Sequence, residues 1–169
     1  LSKWGEAGAG AGQLNHPFGV NVDQTGNLYV ADGNNHRIQK FTNTGVFLTE
    51  WGSFGRGPGQ FNVPIDALVD RDGNVYVSDL FNYRIQKFTS TGAFLTQWGG
   101  FGSTPGRFTG PLGLALDASG NIWVADTGGN GRIQVFTNTG TFLFTWGKFT
   151  HLTSVVLDQA GDVYVASTG

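Results

Sequence analysis

The sequence has no cysteine and no methionine, only five prolines in 169 residues, and charged side chains at 13% of positions. Without cysteine, disulfides and thiolate chemistry are excluded, and a metal would have to be held by His, Asp or Glu. The ten Lys and Arg stand singly along the chain and the net charge is −2, so no basic footprint for nucleic acid or anionic lipid is expected. No apolar run approaches the roughly 18 residues of a spanning helix, and membrane insertion is not expected. No segment carries a capped helical period, and no GxSxG elbow for a nucleophilic serine occurs. Leu1 opens the chain without a leader pattern, which reads as a processed chain or an excerpt of a longer one.

What is abundant is glycine, at 28 residues, with five tryptophans. Four of these, Trp4, Trp51, Trp98 and Trp146, recur at steps of 47, 47 and 48. Asp23, Asp70, Asp117 and Asp158 recur with them, opening DQTGN, DRDGN, DASGN and DQAGD. An Asp three residues before Gly suits a tight turn in which the carboxylate accepts backbone N–H groups, with Gly or the following Asn left-handed. Between these markers the apolar residues alternate in short bursts, the two-residue period of strands. GVNVD, DALVD, GLALD and SVVLD form one set, and LYVAD, VYVSD, IWVAD and VYVAS the next. RIQKF, RIQKF and RIQVF follow, and then FLTEW, FLTQW and LFTW after TNTG, TSTG and TNTG turns.

Four strands every 47 residues define a β-propeller blade, since a solenoid rung is shorter and a sandwich does not repeat. The expectation is an all-β propeller of four-stranded antiparallel blades. Blade one spans 15–51, blade two 62–98 and blade three 109–146; 151–169 supplies the inner two strands of a split blade and 1–4 its outer strand. In a closed ring that outer strand could pair with the inner two. Nearly continuous apolar strands one and two fit blades covered on both faces.

The pattern PFGVNVDQTGNLYVADGNNHRIQKF, followed by GVFLTEWG, resembles the NHL repeat, a propeller family named for Asn, His and Leu positions in this region. The resemblance extends over essentially all 169 residues. It implies a six-bladed ring, about 280 residues at this period, so the sequence leaves open a small four-bladed ring, part of a longer chain, or a partial propeller completed by copies of itself. The family's fold hosts RNA binders, protein-interaction modules, extracellular scaffolds and a peptide-amidating lyase, so fold alone does not assign function.

Candidate sites follow from what repeats and what does not. Asp32, Asp79 and Asp126 close the second strand and Arg37, Arg84 and Arg132 open the third; their recurrence is expected to mark a structural bridge rather than catalysis. The loops WGEAGAGAGQ, WGSFGRGPGQ and WGGFGSTPGR superficially resemble phosphate cradles, but no Lys-Ser/Thr and no helix follows, so they read as interblade crossings. His16 and His151 occupy one equivalent position, where the other copies carry Val63 and Gly110, and Asp66 lies nearby in blade two. These three form the candidate ligand site at a channel mouth, where resembling lyases and lactonases hold metals. Phe54, Phe81, Tyr83 and Phe101 are the candidate partner contacts, because aromatic side chains are enriched at interface anchors.

The expected function is a non-catalytic binding or structural scaffold, with a protein partner or copies of itself. No cofactor is expected; the alternative is a lyase or hydrolase using a divalent metal at the channel mouth. Low charge with abundant Gly and Thr favours a bacterial extracellular or cell-envelope setting and leaves a cytoplasmic one open.

Overall fold

The computed structural model describes residues 3–129 and 131–168. Its first blade is the sheet β1 (Pro17–Val22), β2 (Leu28–Asp32), β3 (Arg37–Phe41) and β4 (Phe47–Trp51), hydrogen-bonded in chain order. The second is β5 (Pro64–Val69), β6 (Val75–Asp79), β7 (Arg84–Phe88) and β8 (Phe94–Gly99). The third is β9 (Pro111–Leu116), β10 (Ile122–Asp126), β11 (Gly131–Phe136) and β12 (Phe142–Phe149). A two-stranded sheet of β13 (Leu152–Leu157) and β14 (Val163–Ser167) follows. Every pairing between these strands is antiparallel, as expected for meandering propeller blades, and isolated parallel bridges such as Phe54 to Phe61 lie within the crossings.

Of the segment expected as an outer strand at 1–4, Leu1 and Ser2 lie outside the described residues, as does Gly169 at the other end. Lys3 and Trp4 belong to no strand, and among the described residues β13 and β14 pair only with each other. Trp4 instead packs on blade one, 4.7 Å from the Phe41 ring and against Gly45.

The core lies in the seams between blades. Tyr29, Ala31 and Ile38 of blade one meet Ala67, Val75, Val77 and Phe88 of blade two, sealed by Phe61 from the crossing loop. Leu68, Tyr76 and Ile85 likewise meet Leu114, Ile122, Val124 and Phe136, with Phe108 in the place of Phe61. Ala125, Ile133 and Val135 then pack on Leu152 and Val155. A central strand buried on both faces has no polar face to keep, which is why VYVSD is buried at all five positions.

Each Asp turn forms as its sequence requires. Asp23 Oδ1 accepts from Thr25 N and Asn27 N, both at 2.9 Å, and Gly26 takes the left-handed conformation (φ 85°) rather than Asn27. The aromatic residue six positions on adds a donor that the turn pattern does not announce. Tyr76 OH reaches Asp70 at 3.0 Å and the indole N–H of Trp123 reaches Asp117 at 3.1 Å. One further feature is absent from the sequence pattern: the innermost strand of every blade carries a register shift near its start, as between Pro64 and Asp66.

Candidate functional site

Antiparallel order sends the β1–β2 and β3–β4 turns to one rim of the blades, and the β2–β3 loops and interblade crossings to the other. The second rim carries the residues with chemical character. Its repeating element is a buried ion pair. Arg37 Nε donates to Asp32 Oδ2 at 2.9 Å, Arg84 to Asp79 at 2.8 Å and Arg132 to Asp126 at 3.0 Å, with all three carboxylates fully buried.

A buried pair is costly unless the remaining donors are satisfied. Arg84 satisfies all five of its N–H groups. Beyond Asp79 it donates to the carbonyls of Arg56, Gly57 and Gln60 and to Gln97 Oε1, at 2.7–3.0 Å. Asp79 in turn accepts from the Asn62 backbone N–H at 2.7 Å and from Asn82 Nδ2 at 2.8 Å. The glycine-rich crossings therefore turn their carbonyls inward onto a guanidinium. That polarity is opposite to a phosphate cradle, which would present N–H groups.

The glutamines of RIQKF and RIQVF belong to the same network. Gln86 Nε2 donates to Gln60 O at 2.8 Å while its Oε1 accepts from Gly59 N at 2.9 Å, and Gln39 and Gln134 repeat the arrangement. Their recurrence beside Arg was visible in the sequence; their long reach to the crossing was not, because the contact spans about half a repeat.

The candidate ligand residues are not brought into one donor set. His16 is exposed with Nδ1 3.0 Å from Asn15 Oδ1, and His151 is exposed with Nδ1 2.9 Å from Thr168 O. Both have left-handed backbones (φ 49° and 48°), as does their equivalent Val63 (φ 61°). Asp66 lies on the innermost strand, where its carboxylate accepts from Asn21 Nδ2 of blade one at 2.8 Å, from Ala67 N at 2.9 Å and from Leu114 N of blade three at 3.0 Å. It thus ties three consecutive blades along the channel wall. Burial pushes its carboxyl above the usual range, and the three N–H donors pull against that shift. Among the described residues no three His, Asp or Glu side chains are grouped to hold a metal.

The aromatic candidates lie on the crossing rim at two successive seams, Phe54 at the first and Phe81, Tyr83 and Phe101 at the second. Phe54, Phe81 and Phe101 are 66%, 50% and 72% exposed. Tyr83, left-handed at φ 56°, ends a short 3-10 turn over Leu80–Asn82 and packs edge-on against Phe101 at 4.8 Å. At the preceding seam His36 holds the same position, with its ring 5.0 Å from Phe54 and Nδ1 accepting from Val63 N at 3.1 Å. His36 is thus a seam residue. Arg56, Phe81, Asn82, Tyr83, Arg84 and Phe101 line an open groove of about 300 Å³. Arg56 was not among the sequence candidates; its signal was that it fails to repeat, with Ala9 and Ser103 at the equivalent positions.

Residues 14–41 and 108–136 match the NHL repeat family model. The B-box type zinc finger protein ncl-1 of Caenorhabditis elegans is 51% identical over 45 residues, which are 27% of this chain and 5% of that protein. Among solved structures, a streptogramin B lyase superposes with a TM-score of 0.73 at 17% identity, over 98% of this chain and 51% of that one. A gluconolactonase from Xanthomonas campestris gives 0.68 at 18% identity, over 89% of this chain and 56% of that one. The chain thus spans about half the length of these structures and a small part of the curated relative. At such identities the two enzymes bear on fold alone, a β-propeller of four-stranded blades, and the sequence carries NHL repeats at residues 14–41 and 108–136 within it.

Proposed function

We propose that these blades act as a non-catalytic binding scaffold that receives a protein partner on the crossing rim. The observation that supports this reading most directly is the exposure of Phe54, Phe81 and Phe101 on that rim, beside an open groove. Large aromatic side chains lose little conformational entropy on contact and dominate interface energetics. The recurring Asp79 and Arg84, together with Gln86, are occupied in holding the crossing loop to its blade. Copies of the same chain are the other partner class this role admits, and an extracellular or cell-envelope setting suits the low charge.

Panning a random peptide library against the protein, with a folded Phe81→Ser/Phe101→Ser variant in parallel, tests the role. Selected peptides should bind the parent and lose most affinity for the variant. Peptides retained equally by both would sink it.

A further inference from the structure

The groove of blade two differs from its counterparts in charge as well as shape. In blade one Arg37 is paired with two carboxylates, Asp32 and Glu50, and the position equivalent to Arg56 is Ala9. That cluster carries one net negative charge. In blade two Arg84 has a single carboxylate, Asp79, because Gln97 replaces Glu50, and Arg56 adds an exposed guanidinium that makes no ion pair among the described residues. The blade-two cluster carries one net positive charge. None of the six residues lining the groove is acidic, and Asp79 beneath it is fully buried and satisfied.

The apolar side of the groove is also peculiar to blade two. Phe81 stands where blade one has Asn34, and Tyr83 where blade one has His36. Phe81 and Phe101 are both at least half exposed, while Tyr83 braces Phe101 edge-on at 4.8 Å. One cation beside two presented phenyl rings is complementary to a carboxylate next to an apolar side chain.

We infer that the groove takes an acidic peptide segment, with a Glu or Asp side chain on Arg56 and an adjacent aromatic or aliphatic side chain between Phe81 and Phe101. This assignment rests on the partner-binding role proposed above. Blade one, with the opposite charge and Asn34 in place of Phe81, does not offer the same site.

Fluorescence anisotropy with four labelled probes tests it: a peptide alternating Glu and Phe, one alternating Lys and Phe, one alternating Ser and Phe, and a single-stranded oligonucleotide. The Glu–Phe peptide should bind most tightly and weaken as salt is raised. Arg56→Gln should weaken it about threefold, and Phe81→Ala/Phe101→Ala about tenfold, with circular dichroism and melting unchanged because these side chains are exposed. Arg56→Glu should shift preference toward the Lys–Phe peptide. If all three peptides bind alike and respond only to the phenylalanine changes, the acidic preference is overturned while the partner role stands. If no peptide responds to the phenylalanine changes, both are overturned. Arg56-dependent binding of the oligonucleotide in preference to the peptides overturns the peptide assignment.

Discussion

Trp51 of blade one lies over Gly92 in the β7–β8 turn of blade two, so closely that a Cβ on Gly92 would sit 2.6 Å from the indole ring. Trp4 over Gly45 and Trp98 over Gly140 repeat the arrangement, so Trp51 and Trp98 each seal their blade against the hairpin of the next, and Trp4 covers the corresponding hairpin of blade one. Gly92 also has φ 87°, a conformation side chains rarely adopt.

Gly92→Ala is therefore expected to cost about 1–3 kcal/mol from overpacking alone, in addition to the backbone strain. Gly120→Ala is the control, since Gly120 has φ 79° with open space where its Cβ would go. Urea unfolding of both variants checks this; equal losses would show that the indole gives way.

Arg84→Ala is expected to cost about 3–5 kcal/mol, because it leaves Asp79 buried without its counter-charge and orphans the carbonyls of the crossing loop. Arg84→Lys should recover little, since an ammonium cannot reproduce the planar fork that reaches Arg56, Gly57 and Gln60. Chemical denaturation of the two variants checks the order.

The aspartates predict opposite pH dependences. Burial alone would raise the Asp23 carboxyl, but donors from Thr25 and Asn27 outweigh it and hold it below the usual range; Asp117 behaves alike through Asn121, Trp123 and Ser119. A folded-state pKa below the unfolded one gives stability that is present above the unfolded pKa and lost as pH falls through the folded one. Asp66, raised by burial, has the reverse sign: its contribution is full below the unfolded pKa and lost as pH rises through the folded one. Asp23→Asn should therefore flatten the acid limb of a melting-temperature profile. The deficit of Asp66→Asn relative to the parent should shrink as pH rises above the ordinary carboxylate range, and a deficit that grows as pH rises would contradict the assignment.

Val63 is a β-branched residue in the left-handed region, at φ 61°. The penalty for an L residue there is roughly 1–2 kcal/mol, so Val63→Asn is expected to stabilise by about 1 kcal/mol, Asn tolerating the conformation better. The urea midpoint reads this directly.

The same position shows where sequence reading reached its end. His16 and His151 stand out because the repeats disagree there, but three of the four copies, His16, Val63 and His151, are left-handed at that point, Gly110 being the exception, and the two imidazoles share that backbone conformation rather than a ligand. Their side chains bond to Asn15 and Thr168, each within its own blade, and not to Asp66.

The 47-residue period, the alternating apolar bursts and the Asp–Gly turns were sufficient by themselves to determine blade architecture, strand order and hairpin positions. These are local properties: side-chain alternation and turn chemistry act over a few residues and leave their period in the sequence. The tertiary structure alone decided what the conspicuous polar residues do. Arg84 and Gln86 meet a crossing loop some 24 to 28 residues away, Asp79 accepts from Asn62 N across 17, and Asp66 reaches Leu114 across 48. No local pattern records such distances. Whether Arg56 stands in solvent beside Phe81 or is consumed by an ion pair depends on which loops the packing of neighbouring blades brings together, and that packing gives blade two its distinct surface.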